Sequence, residues 1–264
     1  MKEKNKYAML SFDTEEFDIP REQGRIISFE EKIRVSEEGT NKILDILKAE
    51  GVRATFFCTT TLLQNAPQLA KRIIEEGHEM ASHGCDHANP KPEHVIESKK
   101  ILEKEYGVKI YGYRQPRMYN VDNNMLRREG YTYNSSINPA FIPGRYMHLN
   151  VSRVPFMKDG ILQIPASVTP WLRFPLFWLS AHHLPMWVYK ALVRRTLRHD
   201  GYFNTYFHPW EFVPIYHVPE YGVPYVIGHN TGEPMRQRLQ HLVQMLKAER
   251  AEFITYHDFA KTCI

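Results

Sequence analysis

Two carboxylates separated by a single residue, Asp13 and Glu15, follow an apolar run near the start of the chain. In an extended segment both side chains point the same way, because side chains alternate with period two. Carboxylates on one face repel each other unless a metal ion or a basic residue lies between them. Taken alone, the pair is more typical of a solvated acidic loop, because runs of charge usually face water, and a bound cation is the alternative interpretation.

Two histidines, His83 and His87, stand four residues apart directly after a segment, 78–82, that we expect to form a short strand. Histidines at this spacing converge on one metal ion if the segment takes a helical turn. Together with one carboxylate of the Asp13–Glu15 pair they would supply the three protein ligands of an open catalytic zinc site. Two unrelated surface histidines are the alternative, because the chain contains 13 histidines. The two patterns together indicate a metal site more strongly than either does alone.

Strand and helix patterns alternate along the chain, and these elements must bring the two motifs together. We expect helices at 40–50, from Pro67 to a stop at Gly77, and at 92–106, 122–128, 185–198 and 235–249. We expect strands at 7–12, 53–58, 78–82, 109–113, 131–135, 201–207 and 253–256, and a hairpin over 154–167 that turns at Asp159–Gly160.

This alternation predicts an α/β fold with parallel strands joined by right-handed crossovers. No glycine-rich dinucleotide loop follows the first strand, so a closed or distorted barrel is favoured over an open doubly wound sheet. In such a barrel, active-site residues follow the carboxyl ends of the strands. Both motifs occupy that position in the expected element order.

The composition is that of an ordinary globular protein. The chain has 264 residues, a formal net charge of +4, 43% hydrophobic residues and 24% charged residues. These values exclude a disordered or collagen-like protein. The mild charge gives no electrostatic support for nucleic-acid binding. No repeat or linker-like stretch is visible, so we expect a single catalytic domain over residues 1–264.

We expect a cytoplasmic protein with reduced thiols. The basic segment 1–8 is not followed by the apolar core of a secretory signal, and the three cysteines are too few for a disulfide scaffold. The apolar stretch 171–193 is interrupted by charged residues and prolines, so no transmembrane segment is expected.

The aromatic part of that stretch, 171–178, predicts a buried loop or a contact between copies in a homo-oligomer. The alternative is a surface that meets a lipid-linked glycan at the inner face of the membrane. Basic residues suited to such a surface follow nearby, at Arg194, Arg195 and Arg198.

Four motifs in one order resemble the polysaccharide deacetylase superfamily (NodB-like, of the type of carbohydrate esterase family four). They are Asp13-Thr14-Glu15, His83-x-x-x-His87, Arg114-Gln115-Pro116 and Phe207-His208-Pro209-Trp210-Glu211. The likeness is closest to the branch with D-x-E in the first motif and HPWE in the last, and segment 130–137 resembles that branch's Y-x-Y-D-S-S-I. The resemblance implies a distorted, TIM-like (β/α) barrel. It also implies a metal-dependent amidohydrolase that removes an N-acetyl or N-formyl group from an amino sugar.

The resemblance further implies a role for each matching residue. The implied metal is Zn²⁺, with Co²⁺ or Ni²⁺ as alternatives, held by Glu15, His83 and His87. Asp13 would be the general base, kept ionised by Arg114, and His208 the general acid. The oxyanion would be stabilised by the backbone N–H of Arg117, and substrate would be bound by Trp210, Pro116 and Tyr119.

Two positions depart from the family pattern. Asn134 stands where the branch carries Asp, so a carboxylate beside His208 would be missing unless Asp258 replaces it in space. Arg117 stands where the family carries Tyr. If its side chain faces the pocket, a substrate with a phosphate or carboxylate becomes more plausible, and the alternative is an arginine that points to solvent.

Two rival interpretations stay open at this stage. Asp13 and Glu15 could be the acid and the nucleophile of a glycosidase, although this leaves the histidine pair without a role. Alternatively, the barrel keeps its metal or glycan site but has lost turnover, which the departures at Asn134 and Arg117 favour. Within the hydrolase interpretation, the expected cytoplasmic location favours a lipid- or nucleotide-linked glycan precursor.

Overall fold

A computed structural model describes residues 5–142, 146–147 and 149–263. The first four residues of the basic N-terminal segment therefore lie outside the described residues. The strands are β1 (Lys6–Thr14), β2 (Thr55–Cys58), β3 (Glu79–Ser82), β4 (Gly112–Tyr113), β5 (Tyr133–Asn134), β6 (Phe141–Ile142), β7 (Tyr146–Met147), β8 (Phe156–Lys158), β9 (Ile161–Gln163), β10 (Tyr202–Phe207) and β11 (Ala251–Phe253).

The helices surround the sheet formed by these strands. They are α1 (Ile19–Glu22), α2 (Phe29–Glu50), α3 (Thr60–Asn65), α4 (Pro67–Glu75), α5 (His94–Tyr106), α6 (Asn123–Arg128), α7 (Trp178–His183), α8 (Met186–Asp200), α9 (Tyr225–Gly228), α10 (Glu233–Ala248) and α11 (Tyr256–Cys263). Among the described helices, none has both the length and the apolar character needed to cross a membrane.

The main sheet has the order β10-β1-β2-β3-β4-β5-β9-β8, with β11 also paired to β1. Its pairs are parallel except for the β8–β9 hairpin. The hairpin turns at Asp159 and Gly160, both with positive φ, as the sequence predicts. The expected α/β class is confirmed, and the curled sheet is a distorted (β/α) barrel.

A gap in the backbone ladder separates the segment after β9 from β10, and one buried side chain bridges it. Asn204 in β10 accepts a hydrogen bond from the backbone N–H of Ser167 (2.6 Å) and donates one to the carbonyl of Pro165 (2.9 Å). The Asn204 backbone N–H donates to Ser167 Oγ (3.0 Å). Because an amide side chain offers both a donor and an acceptor, it can take the place of a strand pairing here.

The central strand β1 is buried on both faces, because helices cover one side and the barrel interior fills the other. Leu10 and Phe12 pack in the cluster beneath the helices. Met9 lies in a second cluster, with Phe57 and Tyr133, on the opposite face. This alternation along the strand is the period-two pattern of a parallel barrel.

Helices α1, α3, α7, α9 and α11 were not expected from the sequence, and two expected elements have clearly different bounds. Helix α2 begins at Phe29 rather than at residue 40, with Ser28 Oγ accepting from the backbone N–H of Glu31 as its N-cap. The expected final strand at 253–256 ends at Phe253, and α11 begins at Tyr256. The first half of α2 carries few apolar residues, so its helical pattern is weak in the sequence.

The carboxyl ends of four parallel strands position the side chains of interest. Glu15, His83, Arg114 and His208 each follow directly the last residue of β1, β3, β4 or β10. Parallel strands end at one edge of the sheet, so these residues reach a common rim of the barrel.

Candidate active site

The three side chains expected to hold a metal ion meet at this rim. Glu15 Oε2 lies 3.0 Å from His83 Nε2 and 3.2 Å from His87 Nε2. Glu15 is 4% exposed and His83 is 1% exposed. The helical turn expected for the histidine pair is wrong, because both residues lie in the loop between β3 and α5, which turns at Gly84 with φ +78°. Loop geometry brings the two rings together instead.

The donor arrangement fits a cation between these groups. His83 Nδ1 donates to the carbonyl of Arg114 (2.7 Å), so a neutral His83 ring carries a lone pair on Nε2. That lone pair faces a carboxylate oxygen, which is unfavourable unless a proton or a metal ion lies between them. Burial opposes a charge on His83, but the carboxylates of Asp13 and Glu15 outweigh it and raise the pKa of His83. The spacings of 3.0 and 3.2 Å are close to the ~3.3 Å edge of a tetrahedron with ~2.0 Å bonds.

A second carboxylate stands behind His87. Asp18 Oδ2 lies 4.0 Å from His87 Nδ1, which has no hydrogen-bond partner within the described part of the chain, and Lys32 pairs with Asp18 at 2.7 Å. Burial lowers the pKa of His87 to about 4, which favours the neutral, metal-binding form of the ring. Metal-bound histidines commonly have a carboxylate behind the ring. Sequence reasoning gave Asp18 no role, although it belongs to the acidic run that contains Glu15.

Asp13 is paired with a buried arginine. Arg114 Nη1 lies 2.5 Å from Asp13 Oδ1, and the guanidinium also donates to the carbonyl and to the hydroxyl of Ser135 (3.1 and 3.0 Å). The guanidinium carbon lies 3.9 Å from the centre of the Phe57 ring. Burial alone would raise the pKa of Asp13, but the charge of Arg114, with those of His83 and His208, lowers it. Asp13 is therefore held as an anion at neutral pH.

His208 lies on the other side of Asp13. Its Nε2 is 4.0 Å from Asp13 Oδ2, and its Nδ1 is 2.9 Å from Glu211 Oε1, which also accepts from the backbone N–H of His208 (2.6 Å). The ring stacks on Trp210 with centres 5.1 Å apart and meets the edge of Trp178 at 5.6 Å. These contacts fix the orientation of the imidazole and leave Nε2 facing Asp13.

Glu211 has a second buried partner, His182. Glu211 Oε2 lies 2.9 Å from His182 Nε2, and His182 Nδ1 donates to the backbone carbonyl of His229. Because Nδ1 must carry a proton for that bond, the Glu211–His182 contact requires one further proton between the two groups. Burial raises the pKa of Glu211 to about 7 and lowers the pKa of His182 to about 4. The hydrogen-bond geometry and the two pKa directions favour one shared proton and an electrically neutral pair.

This arrangement corrects the expectation about the carboxylate beside His208. The suggested replacement, Asp258, is wrong, because Asp258 pairs with Arg53 at 3.4 Å and with Lys261 at 3.1 Å at the other end of the barrel. The carboxylate that contacts His208 is Glu211, three residues along the same motif. In the sequence, this carboxylate was visible as the Glu of the HPWE segment.

Asn134 belongs to a separate amide network. Its Nδ2 donates to Asn123 Oδ1 and Gln163 Oε1, both at 3.1 Å. Its Oδ1 is bonded to Ser136, whose hydroxyl accepts from the backbone N–H of Gln115 (2.8 Å). The asparagine thus supports the segment that carries Arg114, and none of its described hydrogen bonds reaches His208.

The segment after β4 carries the remaining expected site residues. Arg117 and Met118 have positive φ values of 59° and 55°, a conformation that is costly for residues other than glycine. The Arg117 side chain pairs with Glu22 of α1 at 2.7 Å, so it neither points freely to solvent nor stands as an unpaired cation in the pocket. Pro116 is buried and Tyr119 is 56% exposed. Trp210 is 4% exposed because it stacks on His208, so Tyr119 is the more accessible ring.

The aromatic stretch 171–178 divides into two parts. Phe177 and Trp178 are buried, as expected, whereas Trp171 and Leu172 are 74% and 83% exposed. Of the basic residues that were expected to suit a membrane surface, Arg194 and Arg198 share the single carboxylate of Glu249, at 2.7 and 2.8 Å, so the three arginines keep a net positive charge.

Comparison with known proteins agrees with this geometry. A family model described as polysaccharide deacetylase matches residues 2–132, about half of the chain. A peptidoglycan deacetylase of Helicobacter pylori is 26% identical over 110 residues, 38% of each protein. The peptidoglycan-N-acetylmuramic acid deacetylase PdaA of Bacillus subtilis is 44% identical over 48 residues, 18% of each protein. The matches thus cover less than two fifths of these curated relatives.

A solved structure extends the likeness in fold to nearly the whole chain. A Mycobacterium smegmatis protein assigned as a polysaccharide deacetylase superposes with a TM-score of 0.66 at 17% identity, covering 99% of this chain and 91% of that one. At such low sequence identity the superposition supports a likeness in fold alone. The family match, the ordered motifs and their meeting at one rim lead to one assignment: the chain belongs to the polysaccharide deacetylase family.

Proposed function

We propose that this chain is a metal-dependent hydrolase that removes an N-acetyl group from an amino sugar of a glycan or glycan precursor. The observation that carries the proposal is the meeting of the Glu15–His83–His87 group with the anionic Asp13 and with His208 at one rim of the barrel. The relatives named as peptidoglycan deacetylases support the same class of reaction.

Glu15, His83 and His87 would hold the metal ion, Zn²⁺ in our proposal with Co²⁺ and Ni²⁺ as alternatives. When bound, such an ion lowers the pKa of water towards about 7 and polarises the amide carbonyl. One carboxylate and two imidazoles leave a coordination position open, as in catalytic zinc sites. Asp18 would act as a positioning residue for His87 through the 4.0 Å approach to Nδ1.

Asp13 would take the proton of the attacking water. Its ion pair with Arg114 keeps it charged, and a charged carboxylate is the form that can accept a proton. Arg114 cannot lose its own proton at neutral pH. Its further bonds to Ser135 fix the guanidinium, so it would also fix the direction of Asp13.

His208 would give a proton from Nε2 to the departing amine, because Nδ1 is engaged by Glu211. The backbone N–H of Arg117 would stabilise the oxyanion, a contribution of about 3–4 kcal/mol for a well-placed donor. Pro116, Tyr119 and Trp210 would line the substrate pocket. These roles are proposals that the variants below test.

The form of the substrate, the location and the assembly state also remain predictions. We propose an N-acetyl group, with N-formyl as the alternative, since a pocket separates two groups that differ by one methyl by only about 1–3 kcal/mol. A lipid- or nucleotide-linked precursor, a cytoplasmic location, a single domain and a homo-oligomer are predictions of the same kind. Cell fractionation and light scattering of the purified chain would test location and assembly.

The first experiment measures metal content and acyl release together. Plasma mass spectrometry of wild-type protein and of a His83→Ala/His87→Ala variant should show one metal equivalent fewer in the variant. Acetate or formate release from a panel of acylated amino sugars should disappear in Asp13→Asn and persist in Asp258→Asn, whose carboxylate lies away from the rim.

Each contrary result has its own meaning. Metal-loaded protein that releases no acyl group from the panel would favour a barrel that binds metal or glycan without turnover. Cleavage of a glycosidic bond that resists a chelator would favour the glycosidase interpretation. Equal metal content in wild type and the double variant would refute the proposed ligands.

A further inference from the structure

A second group of metal-binding side chains lies beside the loop that carries His83 and His87. Cys85, His94 and Glu97 each offer one ligand atom, and the three atoms lie within 4.8 Å of one another. A thiolate, an imidazole and a carboxylate suit Zn²⁺ and chemically similar divalent ions. We propose that these three residues bind a second divalent cation of this class.

The three donors come from two elements, the loop after β3 and helix α5, and the Ser82 hydroxyl at the end of β3, where that loop begins, lies 2.6 Å from the Ser98 hydroxyl of α5. His94 and Glu97 are three residues apart in the first turn of α5, so their side chains share one face of the helix. Cys85 lies in the loop after β3, where its backbone carbonyl accepts from the N–H of Thr61 (3.1 Å). The neighbouring carbonyl of Gly84 accepts from Thr60 (3.2 Å). Short side-chain movements would therefore suffice to close the three donors around one ion.

The charge around the group favours a cation. Three acidic side chains, those of Glu97, Asp86 and Glu16, surround the Cys85 thiol closely enough to act on it by charge. Glu16 is 4% exposed, and its Oε2 has no hydrogen-bond partner among the residues described. Bound thiolate and carboxylate would together cancel the charge of a divalent ion. The His94 ring is lightly held, since Nδ1 accepts only a long bond (3.4 Å) from the N–H of Lys91.

Such an ion would link the loop between His83 and His87 to the start of α5. The two proposed catalytic ligands flank Cys85 in the chain, so an ion at Cys85 would restrain the backbone that carries both. Binding would also stabilise the native chain by mass action, because the unfolded chain does not hold the three donors together. The inference does not depend on the deacetylase proposal.

A cobalt titration of the full chain, with thiols kept reduced by a phosphine, separates the two sites. The first site offers only nitrogen and oxygen donors, whereas the second offers one sulfur. Bound Co²⁺ should therefore show a near-ultraviolet sulfur-to-cobalt charge-transfer band only when the second site fills. We expect two equivalents of Co²⁺ per chain and one such band.

Variants decide which thiol is responsible. Cys85→Ser should lose the band and one equivalent, and Cys263→Ser, which removes an exposed thiol, should keep both. His94→Ala should weaken the second equivalent at least tenfold, and the His83→Ala/His87→Ala variant should keep the equivalent that carries the band. A band that survives Cys85→Ser, or a folded wild-type chain that binds Co²⁺ without any band, would overturn the inference. Neither of these results would bear on acyl release.

Discussion

Replacement of Glu211 by glutamine tests whether the carboxyl group beside His208 is charged. Glu211 Oε1 accepts from His208, and Oε2 lies 2.9 Å from His182 Nε2. A glutamine has nearly the same shape and can keep both contacts, with its oxygen towards His208 and its amide N–H towards His182. The substitution therefore removes a charge, if there is one, and little else.

The size of the effect distinguishes the two protonation states. A full negative charge with its centre about 4 Å from the imidazole is worth about 4 kcal/mol at an effective dielectric constant of about 20. That energy corresponds to about 3 pH units. If Glu211 and His182 share one proton, the pair is neutral, and Glu211→Gln changes no net charge. The expected displacement is then about half a pH unit or less.

The assay is the pH dependence of kcat/KM for acyl release. Loss of an anion beside the general acid would make the acid lose its proton more readily, so the basic limb would move to lower pH. We expect the basic limb of Glu211→Gln to stay within about half a pH unit of wild type. Glu211→Leu, which also removes the acceptor for His208, should lower kcat/KM by about 10²-fold or more. A basic limb displaced by about 3 pH units in Glu211→Gln would refute the shared proton.

Three further predictions concern the metal, the packing and the acid stability. Chelation should abolish acyl release, and added Zn²⁺ should restore it in wild type but not in His83→Ala; activity that survives a chelator would refute the role of the ligands. Gly39→Ala should lower stability by about 1–3 kcal/mol in urea unfolding, because its Cβ would lie 1.9 Å from the Pro209 carbonyl oxygen; an unchanged midpoint would show that α2 can shift. Burial lowers the pKa of His78 to about 4, so the native state resists protonation of this ring. The free energy of unfolding should therefore fall by up to about 3 kcal/mol as pH falls from 6.5 towards 4. His78→Asn, which can still accept a hydrogen bond from the backbone N–H of Ala54, should flatten this dependence, whereas the control His241→Asn at an exposed position should not.

The sequence predicts the barrel well because its elements follow local patterns. The strand runs lie close to the expected positions, and the turn at Asp159–Gly160 needs only residues that tolerate positive φ. The first half of α2 was missed because it carries few apolar residues and because its packing rests on a tertiary contact. Its packing depends on Gly39, which lets the helix approach the backbone at Pro209, and no local sequence pattern predicts such a contact.

In the candidate site too, residues placed by local pattern could be predicted, and residues placed by tertiary contacts could not. Residues that follow directly on strands, such as Glu15 and His83, could be placed because the strands bring them to one rim. His182 could not, because its contact with Glu211 joins α7 to the turn after β10 across 29 positions. In the sequence it was one of 13 histidines, with no spacing that set it apart.

Asp13 and Glu211 face the same imidazole, and their surroundings favour different charge states for them. Asp13 has a guanidinium that cannot lose its proton, so it remains an anion despite its burial. Glu211 has a buried histidine as its partner, so it shares a proton instead. Carboxylates whose surroundings separate their pKa values in this way can serve different roles at one pH. The anionic Asp13 suits a base, whereas the neutral Glu211 pair suits a support that orients His208 without adding a second negative charge to the rim.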